Sequence, residues 1–204
     1  MESNPIAVLP VMEHFYTLQG EGRFTGQASY FIRLGGCDVG CVWCDVKESW
    51  DASKHPLIPI NEIVASVVAS GTKIAVITGG EPMMHNLDAL TEMLKAKGIR
   101  THVETSGAHP LSGNWDWICL SPKKFKAPLD EMIAAAHELK TVIYNKSDFD
   151  WAEQYAAKVS KDCLLYLQPE WSRAAAMNPL IIDHVKANPQ WKFSLQTHKF
   201  LDIP

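Results

Sequence analysis

The 204-residue sequence predicts an α/β fold, an incomplete (reduced) β/α barrel in one domain spanning residues 1–204. Three observations lead there. Short runs rich in β-branched and aromatic residues alternate with helical patterns, which argues for a parallel sheet covered by helices, either an open doubly wound sheet or part of a β/α barrel. The length is low for eight βα units, which typically need about 250 residues, so an incomplete barrel is preferred. Finally, "TGGEP", "ETSG", "SPK", "LQPEW" and "QTHK" each follow an apolar run at its C-terminal end, the edge where parallel α/β folds build ligand sites.

The strand-like runs, in order, are "SYFIRLGG", "KIAVITGG", "THVETSG", "DWICLSPK", "LKTVIYN" and "CLLYLQP", most of them closed by Gly, Pro or polar residues. "WKFSLQTHK" reads as a final sheet strand or as a terminal extension. The helical patterns are "INEIVASVVAS", "NLDALTEMLKAKG", "PLDEMIAAAHEL", "DFDWAEQYAAKVS" and "RAAAMNPLIIDHVKAN". In the second of these, Leu87, Leu90 and Leu94 fall at helical spacing and Gly98 supplies the stop. With 47% hydrophobic residues the chain can build one substantial core. No internal repeat or Pro/Ser-rich linker divides it.

A net charge of −4 and no basic run beyond "PKKFK" argue against nucleic acid and for a small-molecule partner. "MESNPIAVLPV" lacks a basic region followed by a long apolar run, and no stretch approaches the roughly 20 apolar residues that cross a bilayer. The expectation is a cytoplasmic protein without a membrane partner. Five cysteines, an odd number unevenly spaced, suit metal binding or catalysis better than disulfides. Cys119 and Cys163, isolated in apolar runs, read as small buried hydrophobes.

The other three form Cys37-x3-Cys41-x2-Cys44, just after "SYFIRL". Structural zinc usually takes two separated ligand pairs, and no second pair exists; His14, far upstream, reads as a surface or core residue. A redox pair in "CVWC" leaves Cys37 without a role. A 4Fe-4S cluster held by three thiolates accounts for all three and leaves one iron open. Gly35, Gly36 and Gly40 let the backbone wrap closely around it.

This motif, with Trp43 before its last cysteine, resembles the signature of radical S-adenosylmethionine (SAM) enzymes, and "GGEP" (Gly79 to Pro82) resembles their strand end that binds the SAM amino group. "FYTLQGEGRFTGQASYFIRLGGC", "VITGGEP", "ETSG", "SPK", "LQP", "QTHK" and a terminal proline narrow the resemblance to the 7-carboxy-7-deazaguanine synthases, nearly end to end. That resemblance implies a barrel of the radical SAM type and a 4Fe-4S cluster on Cys37, Cys41 and Cys44. It implies SAM bound by Trp43, Asp45, Gly80, Glu81, Ser121, Pro122, Lys123 and Gln168. It implies a pterin substrate held by Leu18, Gln19, Gly20, Glu21, Arg33, Thr78 and the carboxylate of Pro204. Arg33 offers a charged planar fork for a carboxylate or a pterin carbonyl. An electron donor such as flavodoxin or ferredoxin and a homodimer are also implied.

The implied reaction is a carbon–nitrogen lyase step in queuosine and deazapurine biosynthesis: 6-carboxy-5,6,7,8-tetrahydropterin gives 7-carboxy-7-deazaguanine and ammonia, with SAM regenerated. The cofactor carries the difficult chemistry and the protein orients it. One residue departs from the pattern. Family members commonly read Cys-Asp-Thr, the threonine ligating a magnesium ion that also contacts the substrate carboxylate, whereas this chain has Cys44-Asp45-Val46. Valine has no oxygen to offer magnesium. Three outcomes stay open: a water or Asp45 replaces the hydroxyl, magnesium is not strictly required, or activity is impaired. Rival readings are an activase that installs a glycyl radical on a partner enzyme and a zinc-binding structural module.

Overall fold

The computed structural model describes residues 7–204; the first part of "MESNPIAVLPV" lies outside them. Among the described residues nine strands form one unclosed sheet: β1 (Val8–Leu18), β2 (Ala28–Leu34), β3 (Leu57–Pro59), β4 (Ile74–Gly79), β5 (Arg100–Thr105), β6 (Trp117–Leu120), β7 (Glu138–Ile143), β8 (Leu164–Pro169) and β9 (Trp191–Phe193). Their order is β3-β1-β2-β4-β5-β6-β7-β8-β9. From β2 through β9 neighbouring strands run parallel, as in a barrel whose helices cross between strands.

The expected all-parallel sheet is corrected at one edge. β1 pairs antiparallel with both β2 and β3, and neither β1 nor β3 was anticipated as a strand. "VLPVMEHFYTL" carries Pro10, Glu13 and His14, which break the apolar run that marks the other strands. The β1–β2 connection is a short excursion, closed where Gln19 N donates to Gln27 O (2.8 Å) and Gly26 N to Gln19 O (2.7 Å). "WKFSL" resolves as the last strand, with Leu165 opposite Trp191, and "QTHK" opens a short helix instead of continuing it.

Helices α1 (Ile60–Ala69), α2 (Asp88–Ala96), α3 (Asp130–Ala135), α4 (Ser147–Ala156), α5 (Ala174–Ala187) and α6 (Thr197–Leu201) follow the strands. α1 buries Ile60, Ile63, Val64 and Val67, one stripe at helical spacing. α2 buries Leu90 and Leu94, and Gly98, at φ +70°, ends that segment in a left-handed turn. These side chains meet Ile32, Leu34, Ile77 and Val103 from the sheet in one continuous core. Each fully buried leucine or isoleucine there stabilises the fold by about 1.5–3 kcal/mol. Such a core holds the strand ends, and thus the loops beyond them, in fixed register.

Across the unclosed side, loops make the contacts that strands do not. Gly22 N donates to Ser194 Oγ (3.0 Å), while Thr197 N and Thr197 Oγ1 both donate to Gly20 O (2.9 Å each). Two segments far apart in sequence, "LQGEG" and "QTHK", therefore meet at the mouth of the barrel.

Candidate active site

The mouth encloses a cavity of about 270 Å³. Its wall includes Cys37, Cys41, Cys44, Trp43, Asp45, Gly80, Glu81, Ser121, Lys123, Gln168, Leu18, Gln19, Gly20, Glu21, Arg33, Thr78 and Pro204, all expected from the sequence. Pro122 is buried and stands outside the wall.

Strand pairing explains much of this convergence. Arg33 on β2 lies opposite Glu13 on β1 and beside Thr78 on β4, so three polar positions from three strands form one row. Arg33 Nε donates to Glu13 Oε1 at 2.6 Å, which fixes the guanidinium at the cavity edge. Four residues further on, the backbone enters the cysteine loop. There Gly36 N donates to Ser49 O (2.6 Å) and Cys37 N to Trp50 O (3.0 Å). Gly36 and Gly40 adopt φ of +106° and +74°, which lets this loop curl.

The "GGEP" turn packs directly on the cysteine loop. Gly80 N donates to Leu34 O (3.0 Å) and Glu81 N to Gly36 O (2.8 Å). A Cβ at Gly80 would come within 2.2 Å of Gly36 O and 2.8 Å of Cys37 Cβ, so only glycine fits between the two loops. Glu81 is buried and its carboxylate is already engaged. Oε1 accepts from Met83 N (3.0 Å) and Thr105 Oγ1 (2.5 Å); Oε2 accepts from Ser106 N (2.8 Å) and from the Ser106 hydroxyl. The "ETSG" segment thus locks the "GGEP" turn in place. A bound amino group reaching this carboxylate requires one hydroxyl to swing aside, because four acceptor sites are filled.

The donor set suits the cluster implied by the motif. Three thiols share one wall of the cavity, and burial raises those of Cys37 and Cys41, the latter to about 11 against the opposing pull of Lys123. Loading a metal group there releases protons. On the facing loop, Lys123 Nζ donates to Ser121 O and Ser121 Oγ (2.6 Å each) and lies over the Trp43 ring, 5.8 Å from its centre. "SPK" is thereby tied to the cysteine loop.

The floor holds what the sequence reading missed. Lys140 Nζ donates to Glu104 Oε2 (2.9 Å) and to Glu21, Gln19 Nε2 donates to Glu104 Oε1 (2.9 Å), and Gln196 Nε2 donates to Glu21 Oε1 (3.0 Å). Burial opposes the charge on Lys140, but Cys119, Glu104, Glu21 and Glu138 together hold its ammonium well above the ordinary value. Burial also pushes the Glu104 carboxyl up; Lys140 and Gln19 outweigh it, and the group stays below its ordinary value. The available signal was parity. Glu104 lies opposite Cys119, Cys119 opposite Glu138, and Lys140 two residues beyond Glu138, so all four share the interior face. Cys119 is buried as expected, but its thiol points at Glu138 (3.6 Å) instead of at hydrocarbon alone. His14 bonds the Tyr30 hydroxyl through Nδ1 (2.6 Å) and has no part in the cavity wall.

An unclosed β/α barrel with a three-cysteine loop and a glycine-rich turn packed against it defines a class, and the family model described as "Radical SAM superfamily" matches residues 31–142. Among curated relatives, the 7-carboxy-7-deazaguanine synthase of Flavobacterium psychrophilum is 56% identical over 97% of this chain and 93% of its own length. That of Synechocystis is 48% identical over 100% of both, and that of Escherichia coli K12 33% identical over 95% and 98%. The crystal structure of QueE from Escherichia coli superposes with a TM-score of 0.82 at 31% identity, covering 92% of this chain and 93% of that one. The chain belongs to the 7-carboxy-7-deazaguanine synthase family of radical SAM enzymes.

Proposed function

We propose that this chain converts 6-carboxy-5,6,7,8-tetrahydropterin to 7-carboxy-7-deazaguanine with loss of ammonia, as a lyase that uses SAM catalytically. The observation that carries this reading is the single cavity in which the cysteine loop, the "GGEP" turn and the "LQGEG" segment meet. Bound there on Cys37, Cys41 and Cys44, a 4Fe-4S cluster with SAM would supply radical chemistry for removing hydrogen from carbon 6 of the pterin.

The protein's own contribution is placement. Cys37, Cys41 and Cys44 hold the cluster; Trp43, Asp45, Gly80, Glu81, Ser121, Lys123 and Gln168 surround SAM. Leu18, Gln19, Gly20, Glu21, Arg33, Thr78 and the Pro204 carboxylate face the pterin, whose mixed donor and acceptor edge suits the backbone of residues 18–20. Glu104, held by Gln19 and Lys140, adds a fixed carboxylate for ring N–H groups. Burial of this network keeps competing water off a radical site. We place the chain in the cytosol as a single domain and as a homodimer served by a flavodoxin or ferredoxin. Among the described residues no helix is long and apolar enough to cross a membrane.

The test is anaerobic incubation of the reconstituted protein with SAM, a reductant and the carboxytetrahydropterin, with no partner enzyme present. Product lighter than substrate by one ammonia is expected. SAM cleavage only in the presence of a second protein supports the activase reading, and a colourless zinc-loaded protein that leaves SAM intact supports the structural one.

A further inference from the structure

One group implied by the resemblance does not fit these residues. Val46 presents hydrocarbon to the cavity wall, and its carbonyl accepts from Ser49 N (3.1 Å) and Ser49 Oγ (2.7 Å). The neighbouring carboxylate of Asp45 is bound through Oδ2 to Lys199 Nζ at 2.8 Å. Magnesium demands a near-octahedral oxygen shell and gives up water reluctantly, and nothing at residue 46 offers that shell.

We propose that Lys199 stands in for the divalent cation: its ammonium, fixed on Asp45, the residue before Val46, receives the carboxylate of the pterin substrate, so that substrate binding is independent of magnesium. This rests on the pterin reading above. Four permanent or near-permanent cations line the cavity: Arg33, Lys123, Lys140 and Lys199. Arg33 gives its Nε to Glu13 at 2.6 Å and keeps its other guanidinium donors for the pterin it faces, and Lys140 is shared between Glu21 and Glu104. Lys123 directs its ammonium at Ser121 on the side of the cysteine loop.

Lys199 is the cation of the four that is bound to the loop carrying Val46. Its only carboxylate partner among the described residues is Asp45, whose side chain is 60% exposed and therefore well screened by water, while Lys199 itself is 22% exposed. An ammonium has three donors, and Asp45 takes one. The Trp171 ring, 5.2 Å away, holds the cation from another side without using a donor. α6 carries Lys199 and is anchored by the two hydrogen bonds from Thr197 to Gly20 O, inside the substrate segment. The cation is thus preorganised in the same cavity wall as Val46, on the residue that precedes it, and a carboxylate arriving there gains a charge-assisted hydrogen bond.

The test uses the anaerobically reconstituted holoenzyme with SAM and no reductant, titrated with two stable probes: 6-carboxypterin, and pterin without the carboxylate. Affinity is measured in chelator and in excess Mg²⁺. Wild type is expected to bind 6-carboxypterin equally in both. Lys199→Met is expected to lose roughly tenfold or more in affinity for 6-carboxypterin and little for pterin, while Lys199→Arg keeps most of the preference. Magnesium tightening wild-type binding, or Lys199→Met weakening both probes alike, overturns the inference and leaves the lysine a mere latch for α6. If neither probe binds wild type, the pterin reading itself falls, and this inference with it.

Discussion

Replacing Cys37, Cys41 and Cys44 together by alanine is expected to give a folded, colourless protein with no detectable turnover. The three thiols belong to a small apolar cluster with Val39, Trp43 and Ala108, separate from the main core. They form no disulfide, and all five cysteines of the chain are free. Removing one sulfur at each position costs on the order of 1 kcal/mol or less in packing, against a core the substitutions do not touch. Iron content and visible absorbance after anaerobic reconstitution should vanish, and the thermal midpoint of the metal-free protein should shift by only a few degrees. A variant that still binds a full cluster, or a metal-free variant that cannot fold, contradicts the assignment of these thiols as ligands and nothing more.

Lys140→Met is expected to produce the largest loss of stability of any single change at the site. The lysine is nearly inaccessible and bridges two carboxylates, those of Glu21 and Glu104. Removing one partner from a buried ion network typically costs about 3–5 kcal/mol, because the remaining charges are left unpaired in a poorly solvated place. Pterin binding should weaken as well, since Glu21 and Glu104 lose the group that orients them.

The pH dependence of that deficit is a sharper check than its size. In the wild type, Glu104 titrates below its ordinary value, so its contribution is present above that ordinary value and is lost as pH falls through the lower folded one. Without the lysine, burial dominates and raises the carboxyl, so the ionised form opposes folding. The gap between variant and wild type in denaturant unfolding should therefore narrow as pH falls from about 8 to about 5. A gap that is constant over that range means Lys140 acts through packing alone.

Much of this architecture was legible because parallel strands buried on both faces leave continuous apolar runs, and their loops leave polar motifs behind them. All six runs read as strands are strands, "WKFSL", left open, is the last one, and the loops after all of them but β7 meet in one cavity. β1 was hidden by its polar residues: Glu13 faces Arg33 at the site, and His14 bonds Tyr30, so the strand never shows a clean apolar period. Glu104 and Lys140 were hidden for the opposite reason. Each sits inside a run that reads as core, "THVETSG" and "LKTVIYN", and only the strand register shows that their side chains share the concave face. Lys199 was in view within "QTHK", but its proximity to Asp45 spans 154 positions of sequence and no local pattern conveys it. The lock that Thr105 and Ser106 place on Glu81 belongs to the same kind of information.

The most direct measurement of the central claim is turnover of pterin substrate deuterated at carbon 6 in the anaerobically reconstituted enzyme, with recovered SAM and product both analysed by mass. A radical lyase that regenerates its cofactor predicts deazaguanine product lighter by one ammonia, deuterium appearing in recovered SAM, and many product molecules for each SAM supplied. Stoichiometric conversion of SAM to methionine and 5′-deoxyadenosine, with no loss of ammonia from the pterin, contradicts it.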